Sequence, residues 1–373
     1  MGQDLVERIE AADKNHGVTT VTGPIDRAIA RPVCSVVIPS YNGRAFLETC
    51  LASVARQRPR NPAFPIEVIV VDDGSTDETA QWVARVHPDV RVARFERNRG
   101  FCAAANAGIA RANGSFIQLL NNDTEVAAGW IEAGLEPFVD PTVGSVAPLV
   151  LVRSEPERVD SAGDSYSLFG WPAKRGHGQP TQLFSERHVE EVFGASGSSA
   201  FYRTTALKRS GGFDPLFGSY YEDVDLAFRL RWAGYRCVFA PRSIVYHDVS
   251  STYDHGSHAL QRRMSRNAEF VFWANLPAVL LGLAILPHLA FLVVQGAWRL
   301  LRGRLRPFLA GKWDALRAWQ DIKARRRHRA ELCRKAVAPP RFALGKGSWR
   351  DVRNHLSRPR EQTRGRTVSL RAR

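Results

Sequence analysis

Between residues 33 and 150, short apolar runs of strand length alternate with segments whose apolar residues recur at helical spacing. The apolar runs are VCSVVIP at 33–39, IEVIVV at 66–71, VRVARFE at 90–96 and GSFIQLLN at 114–121. Helical spacing is found at 44–57 and in the Ala-rich stretch 101–112. Continuous apolar runs are typical of strands buried on both faces, and their alternation with helices predicts βαβ units around a parallel sheet.

The pattern weakens between about 150 and 200, where Gly, Ser and Pro predict a loop-rich region. After this region, SSAFYR at 198–203 has the composition of a strand, and EDVDLAFRLRWAG at 222–234 predicts a helix that ends at Gly234. Two further short strands are predicted at YRCVFAP and IVYH. The expected fold class is therefore α/β, with a mostly parallel sheet flanked by helices.

A long apolar stretch follows the predicted α/β domain. Residues 270–298 contain no Asp, Glu, Lys or Arg, and they are long enough to reach across a bilayer. Pro277, Pro287 and His288 disfavour a simple span, and Arg residues on both flanks favour a cytoplasmic position for both ends. The pattern favours an in-plane or hairpin-like membrane element. A spanning helix and an apolar helix pair packed on the domain or on a partner are the alternatives.

The net charge of +15 is carried by the C-terminal end of the chain. Residues 299–373 hold 23 Lys and Arg against 5 Asp and Glu, a net charge of +18, whereas the first 298 residues hold 29 against 32, a net charge of −3. We expect the basic end to meet an anionic membrane surface. Nucleic acid is not an expected partner, because the basic run RRRHR has no interleaved aromatic residues. The five cysteines form no CxxC, which indicates a reducing compartment.

Polar side chains that suit ligand binding follow three of the predicted strands. Tyr41 comes after the first strand, Asp72 and Asp73 after the second, and Asp123 after the fourth. Ligands bind at the carboxyl ends of strands in an open parallel sheet, so we expect these side chains at one edge. The first turn, PSYNGRAF, lacks the GxGxxG of dinucleotide-binding proteins, and the chain has no GxxxxGK followed by Ser or Thr. This argues against NAD-dependent enzymes and P-loop NTPases.

Five motifs stand in order along about 33–250: VVIPSYNG, VVDDGSTDET, NRGFCAAANAG, LLNNDTEV and YYEDVDLAFRLRWAGY. This set resembles the family 2 inverting glycosyltransferases of GT-A fold. The chain has NND in place of the family's DxD and a later His in VYHDVS. In both features it resembles the rhamnosyltransferase-like enzymes of bacterial surface polysaccharide assembly. The resemblance implies transfer of a sugar from a nucleotide-sugar donor to a hydroxyl of a glycan or lipid-linked glycan acceptor.

The resemblance also implies a donor site. Tyr41 would stack on the nucleotide base, and Asp73, helped by Asp72, would hydrogen-bond the base or the ribose. A carboxylate suits the imide N–H of uracil or thymine. The donor-binding residues implied by the motifs are Pro39, Tyr41, Asp72, Asp73, Asn98, Gly100, Asn106 and Asn122.

A divalent cation, Mg²⁺ or Mn²⁺, is the cofactor that the resemblance implies. Asp123 would bind the cation that bridges the donor diphosphate, and His247 would be a further contact. The motif Asn122-Asp123-Thr124-Glu125 departs from a strict DxD, since it offers a single carboxylate at the metal position.

Inverting transfer needs a base that removes the proton of the acceptor hydroxyl as it attacks the anomeric carbon. The resemblance assigns this role to Asp223, with Glu222 beside it. Two carboxylates at a helix N-terminus are expected to stay ionised, because the helix dipole stabilises anions there. Trp171, Gly194 and Ser196 are the candidate acceptor residues.

We therefore predict four segments: a polar N-terminal lead-in at 1–32, a GT-A catalytic domain at 33–255, an apolar membrane-associating segment at 256–306 and a basic tail at 307–373. The expected location is the cytoplasmic face of the cell membrane, peripheral or re-entrant. The donor stays open between dTDP-rhamnose and a UDP-hexose. The alternatives to sugar transfer are a sugar-nucleotidyltransferase-like enzyme and a non-catalytic membrane scaffold.

Overall fold

The centre of the fold is an eleven-stranded sheet, and the computed structural model describes residues 19–20, 33–57, 65–248 and 257–342. The strands are β1 (Thr19–Thr20), β2 (Cys34–Ser40), β3 (Ile66–Asp72), β4 (Arg91–Arg94), β5 (Phe116–Leu120), β6 (Thr124–Val126), β7 (Val143–Val152), β8 (Glu155–Ser161), β9 (Asp164–Tyr166), β10 (Pro172–Lys174), β11 (Glu190–Val192), β12 (Ser199–Arg203) and β13 (Arg236–His247). The helices are α1 (Arg44–Ala55), α2 (Thr79–Val86), α3 (Phe101–Arg111), α4 (Trp130–Leu135), α5 (Gln182–Ser185), α6 (Thr204–Arg209), α7 (Glu222–Trp232), α8 (His258–Asn275), α9 (Ala278–Leu301), α10 (Leu305–Arg317) and α11 (Trp319–Arg334).

The strands follow the order β1-β4-β3-β2-β5-β12-β7-β13-β11, with β6 paired to β13 and β8 to β7. Strands β4, β3, β2 and β5 are parallel, whereas β12 runs antiparallel between β5 and β7. The parallel sheet that the alternating pattern predicts is present in this first half, and the complete sheet is mixed. β9 and β10 form a separate two-stranded sheet.

The continuous apolar runs are explained by burial on both faces of the sheet. Val36 and Val37 are both fully buried, yet they belong to different apolar clusters because successive side chains of a strand point to opposite faces. Helices α1, α2 and α4 cover one face, and α3, α7 and α8 cover the other. Substrates therefore have access to the sheet at its edge rather than at its faces.

Three local predictions differ from the structure. The region between 150 and 200, predicted to be loop-rich, contains β8 to β11, whose short strands carry no clear periodicity. The two short strands predicted at YRCVFAP and IVYH are one strand, β13, with an irregular register between Ala240 and Ile244. Two residues of the predicted lead-in, Thr19 and Thr20, pair with β4 at the edge of the sheet.

The apolar stretch divides into two helices with different surroundings. In α8, Phe270, Val271 and Phe272 are buried in the main core, so this helix is part of the sheet domain. Pro277 precedes α9, most of which is exposed. Within the described ranges, α9 is the helix that is long and apolar enough to cross a membrane by length and composition. The predicted boundary at 255/256 falls in 249–256, outside the described residues.

The basic C-terminal end folds back onto the sheet domain as far as it is described. Arg325 in α11 pairs with Asp214, and Arg329 pairs with Asp225 of α7 at 2.7 Å. The backbone N–H of Val337 donates to the carbonyl of Ala233. The first part of the predicted basic tail at 307–373 therefore packs on the sheet domain, where its Arg residues pair with the buried Asp225 and the half-buried Asp214. Residues 343–373 lie outside the described part of the chain.

Candidate active site

Asp73 lies at the carboxyl end of β3, where it orders a neighbouring loop. Its carboxylate accepts hydrogen bonds from the backbone N–H groups of Arg99 (2.7 Å) and Gly100 (2.9 Å). Its own N–H donates to the carbonyl of Ser40 at the end of β2. Burial raises the pKa of Asp73 above its usual value, and the two backbone donors oppose this shift. Asp73 thus joins the ends of two strands to the N-terminus of α3.

Asp72 and the loop after β2 stabilise the turn next to Asp73. Asp72 is fully buried, accepts from the N–H of Ser75 (2.9 Å) and pairs with Arg94. These contacts stabilise the turn after β3, and the buried carboxylate of Asp72 is not accessible to a ligand. The backbone N–H of Asn42 donates to the Ser75 hydroxyl, which fixes the loop that carries Tyr41. The Tyr41 ring is 41% exposed, as a stacking residue requires.

Asn122 is drawn to the end of β2 by a close approach that requires glycine. Its Nδ2 donates to the Ser40 hydroxyl at 3.0 Å. A Cβ atom at Gly43 would lie 2.0 Å from this nitrogen. Glycine at position 43 of SYNG therefore permits the NND segment to lie against the end of β2, next to the loop that carries Tyr41.

Asp123 and His247 form the pair of side chains that the sequence predicts as a metal site. The Nε2 atom of His247 is 3.3 Å from Oδ1 of Asp123, and both residues are buried. The pair is brought together by β6 and β13, whose register places His247 opposite Thr124. The backbone N–H of Asp248 donates to the carbonyl of Asp123 and fixes the turn.

A buried charged group lies behind His247. Its Nδ1 is 3.0 Å from Oδ2 of Asp160, which is fully buried and also accepts two hydrogen bonds from Lys174 at 2.9 and 2.8 Å. Burial alone would raise the pKa of Asp160, but Lys174, His177 and His247 hold it well below its usual value. Burial would lower the pKa of His247, but Asp123 and Asp160 outweigh it and raise the pKa to about 9.

The donor set fits a divalent cation that is shared with a diphosphate. The described residues contain no cluster of three or more His, Cys, Asp and Glu side chains suited to a metal. Mg²⁺ keeps several waters and phosphate oxygens and takes one or two protein carboxylates, so a pair of protein donors is sufficient. The carboxylate of Asp123 and the imidazole Nε2 of His247, 3.3 Å apart, are the two side-chain donors that would hold the cation. Asp160 would orient His247, as carboxylates commonly do for ligating histidines.

The candidate base lies at the start of α7, after two residues with unusual backbone angles. Tyr220 and Tyr221 have φ angles of 69° and 68°, in the left-handed region that non-glycine residues rarely adopt. Asn267 of α8 holds this loop: its Nδ2 contacts the carbonyls of Phe217 (3.0 Å), Ser219 (3.0 Å) and Tyr220 (2.8 Å). The loop thereby sets the direction in which α7 starts.

Asp223 is partly buried and is fixed by backbone donors. Its Oδ2 accepts from the N–H of Gly197 at 2.8 Å, and its Oδ1 accepts from its neighbour Val224. Burial raises its pKa, and these backbone donors oppose the shift. A raised pKa makes a carboxylate a stronger proton acceptor, which suits a general base.

Glu222 differs from the expectation that the helix dipole keeps both carboxylates ionised. It is buried, and its Oε2 has no hydrogen-bond partner among the described residues. Burial and the charge of Asp223 raise the pKa of Glu222 well above its usual value. Desolvation and the charge of Asp223 therefore outweigh the helix dipole at Glu222, and they favour its protonated form relative to that of a free carboxyl group.

A chain of contacts connects these groups around the sheet edge. Asp223 is bonded to Gly197, and the next carbonyl, that of Ser198, accepts from the N–H of Asn121. From there, Asn122 bonds to Ser40, and Ser40 bonds to Asp73. The structure thus brings Asp73, the Asp123–His247 pair and Asp223 to one rim. For Asp73 and Asp123, which follow parallel strands, the sequence predicts this meeting.

Four other residues are predicted to bind the sugar donor. Two of them lie on this rim, and the other two are buried in the protein. Asn98 is exposed, and Gly100 donates to Asp73. Pro39 is buried within β2. Asn106 is buried on α3, where its amide exchanges two hydrogen bonds with the backbone of Phe213. The amide of Asn106 therefore holds the 211–213 turn, and its contact with a donor stays a prediction.

The predicted acceptor residues divide into two groups. Gly194 and Ser196 stand beside Gly197, the backbone donor to Asp223, and a Cβ atom at Gly194 would lie 2.7 Å from Ala227 Cβ of α7. The hydroxyl of Ser196 is 3.2 Å from that of Ser198. Trp171 lies apart from these two residues and packs edge-on against Phe291 of α9, with 5.5 Å between the ring centroids. It lines a cleft together with Tyr221, the residue before Glu222.

Sequence reasoning missed several residues of the rim. Asp160 and Lys174 fix His247, and Asp164 is a buried carboxylate whose pKa is raised well above its usual value by burial and by the charge of Asp223. These residues lie in the stretch predicted to be loop-rich, where no spacing marks them. Asn267 lies just before the apolar stretch 270–298 and is fully buried, and its contacts with the 217–220 loop have no signal in the local sequence.

Comparison with known proteins agrees with this geometry. The family model "Glycosyl transferase family 2" matches residues 35–211. The N-acetylglucosaminyl-diphospho-decaprenol L-rhamnosyltransferase of Mycobacterium tuberculosis is 30% identical over 268 residues, which cover 65% of this chain and 84% of that protein. The chain belongs to glycosyl transferase family 2.

A second relative, the pre-mycofactocin glycosyltransferase of Mycobacterium tuberculosis, is 32% identical over 234 residues. The match covers 61% of this chain and 44% of that protein, so the chain spans less than half of this relative.

Two solved structures share the fold. GalNAc-T7 with UDP, GalNAc and Mn²⁺ has a TM-score of 0.51 at 18% identity, over 72% of this chain and 57% of that one. TarS of S. aureus has a TM-score of 0.50 at 20% identity, over 82% of this chain and 53% of that one. The expected GT-A-like fold is confirmed.

Proposed function

We propose that this protein is an inverting glycosyltransferase that moves a sugar from a nucleotide-sugar donor to a hydroxyl of a glycan acceptor. The observation that carries the proposal is the rim on which Asp73, the Asp123–His247 pair and Asp223 meet. Family membership supports the reaction class, and the name of the rhamnosyltransferase relative supports a lipid-linked acceptor. dTDP-rhamnose and the UDP-hexoses are the donors to test.

Each group on the rim has a task in this reaction. Tyr41 and Asp73 hold the nucleoside, and the backbone at Gly100 stays beside it because Asp73 orders that loop. Asp123 and His247 would hold Mg²⁺ or Mn²⁺, which supplies positive charge to the diphosphate leaving group. The Mn²⁺ in the GalNAc-T7 structure supports this choice of cofactor.

Asp223 is the group that handles the proton. As the acceptor hydroxyl oxygen bonds to the anomeric carbon, the bond from that carbon to the diphosphate oxygen breaks. The hydroxyl proton passes to the Asp223 carboxylate, and the nucleoside diphosphate leaves as the anion. Attack from the face opposite the leaving group inverts the configuration. A single base is sufficient for this step, and the raised pKa of Glu222 disfavours a second negative charge beside Asp223.

The test is product analysis with a panel of donors: dTDP-rhamnose, UDP-glucose, UDP-galactose and UDP-GlcNAc. The acceptor is a short-chain prenyl-diphospho-N-acetylglucosamine, and Mn²⁺ is compared with EDTA. We expect one donor to release its nucleoside diphosphate and to glycosylate the acceptor, with the activity lost in EDTA. In a parallel assay with dTTP or UTP and a sugar 1-phosphate, release of pyrophosphate would identify a nucleotidyltransferase, and no product in either assay would favour a scaffold. Either result would contradict the proposal.

A further inference from the structure

The outer face of α9 and α10 is an exposed apolar surface that the sheet domain leaves uncovered. On α9, Val279, Leu283, Leu286 and Val293 share one side of the helix, at 77%, 63%, 76% and 72% exposure. The side that packs inward carries Ala284, His288 and Phe291, which are buried. We call the outward side, continued on α10 by Leu309, Trp313 and Leu316, the α9–α10 face.

The contacts of the inward side fix how α9 is held. The His288 ring stacks on Phe272 with 3.7 Å between ring centroids, and its Nδ1 is 2.8 Å from the carbonyl of Phe169. Its Nε2 is 3.2 Å from Glu269, which also pairs with Lys312 of α10 at 2.7 Å. The middle of α9 is therefore attached to the folded domain through polar groups.

This attachment excludes a simple span. A helix of 24 residues is about 36 Å long, which matches the hydrocarbon thickness of about 30 Å. A helix that crossed the bilayer, however, would place its midpoint in the hydrocarbon centre together with Glu269, Lys312 and the backbone at Phe169. Buried charges and irregular backbone are costly at that depth. Because its inward side packs on the protein, α9 exposes a single apolar side. Such a helix suits a position parallel to the membrane surface.

Amphipathic and basic side chains border the face. Arg302 lies over the Trp298 ring at 4.5 Å, and Arg317 lies over the Trp313 ring at 5.3 Å. Arg304, between α9 and α10, and Arg306, in the first turn of α10, are exposed. Tryptophan is enriched at membrane–water interfaces, and arginine near the surface is attracted to anionic lipid headgroups. The charge of this border thus complements an anionic bilayer.

We infer that the α9–α10 face binds an anionic lipid bilayer, with α9 lying in the plane of the interface. The loop at Phe169–Trp171 packs against the inward side of α9, so this position brings the predicted acceptor side close to the lipid headgroups. The lipid binding stands independently of sugar transfer, whereas delivery of a lipid-linked acceptor to Trp171 and Asp223 rests on the proposed function.

The test is co-sedimentation of the full chain with vesicles, which requires no substrate and no turnover. Vesicles of phosphatidylcholine alone are compared with vesicles that contain phosphatidylglycerol. The variant L286E/V293E places two charges on the face. Its matched control, L183E/V139E, makes the same two changes at exposed positions on α5 and on the turn before β7. We expect the wild type and the control to bind anionic vesicles, and the face variant to lose at least about tenfold in partition coefficient.

Three outcomes would overturn the inference. The first is equal binding by both variants, and the second is equal binding of the wild type to neutral and anionic vesicles. The third is a wild type that does not bind vesicles but forms oligomers, with L286E/V293E monomeric. This result would make the α9–α10 face a protein interface. Sugar transfer to a soluble acceptor by the face variant is expected to be unchanged. Loss of transfer in both variants would count against the proposed function instead.

Discussion

Replacing Asp223 by Asn is expected to lower the turnover number by about 10² to 10⁴-fold. The amide keeps the size of the side chain and can still accept one of the two backbone hydrogen bonds, from Gly197 or Val224. It cannot take the proton of the acceptor hydroxyl. Donor affinity is expected to be unchanged, because the donor contacts lie at Asp73 and at the Asp123–His247 pair. The measurement is steady-state kinetics together with nucleoside diphosphate binding.

The control is D321N, which makes the same change at an exposed position on α11. Its turnover is expected to equal that of the wild type. The pH profile gives a second readout. A general base works in its deprotonated form, so the raised pKa of Asp223 places the acidic limb of kcat/KM above the usual aspartate range. Turnover of D223N within threefold of the wild type, with that limb still present, would remove Asp223 from the role of base.

Replacing Arg329 by Met is expected to lower the free energy of unfolding by about 3 kcal/mol, the cost of breaking a buried ion pair. Arg329 is 3% exposed and contacts Asp225 at 2.7 Å, one turn after the start of α7. Burial would raise the pKa of Asp225, but Arg229 and Arg329 hold it at about 2. In the variant, the buried carboxylate of Asp225 keeps its ion pair with Arg229 and loses the one with Arg329. Urea-induced unfolding measures the change.

The matched control for this prediction is R327M on the same helix, where the side chain is exposed. We expect it to change the free energy of unfolding by less than about 0.5 kcal/mol. Equal stability of the two variants would show that α11 does not hold the helix that carries Asp223. It would also restore the separate basic tail that the charge distribution predicts.

The first half of the sheet could be predicted from the sequence because its strands are buried on both faces. Val36–Val37 and Val70–Val71 are apolar on alternate sides, and Ser40 and Asp72 end neighbouring parallel strands in register. A sheet edge follows from such a pattern without any long-range information. Asp73 and Asp123 are accordingly predicted as strand-end carboxylates, whereas Asp223 is implied by the resemblance to the family.

The remaining features depend on contacts between distant parts of the chain. Arg329 and Asp225 are 104 residues apart, and His247 meets Asp160 across 87 residues. Neither pair has a signal in local spacing. Asn106 was assigned to the donor because its motif resembles the family's, whereas the structure uses its amide to hold Phe213. The division of the apolar stretch into a buried α8 and an exposed α9 likewise depends on which residues pack against the sheet.

The central claim is that the rim around Asp73 and the Asp123–His247 pair binds the nucleoside diphosphate of a sugar donor. Calorimetric titration with dTDP and with UDP, each in Mn²⁺ and in EDTA, tests this claim most directly and needs no acceptor. We predict metal-dependent binding of one nucleotide, weakened at least about tenfold by D73A, which removes a charged hydrogen-bonding group. D89A, before β4, is expected to bind as the wild type does. Absence of binding of both nucleotides by folded wild-type protein would contradict the account.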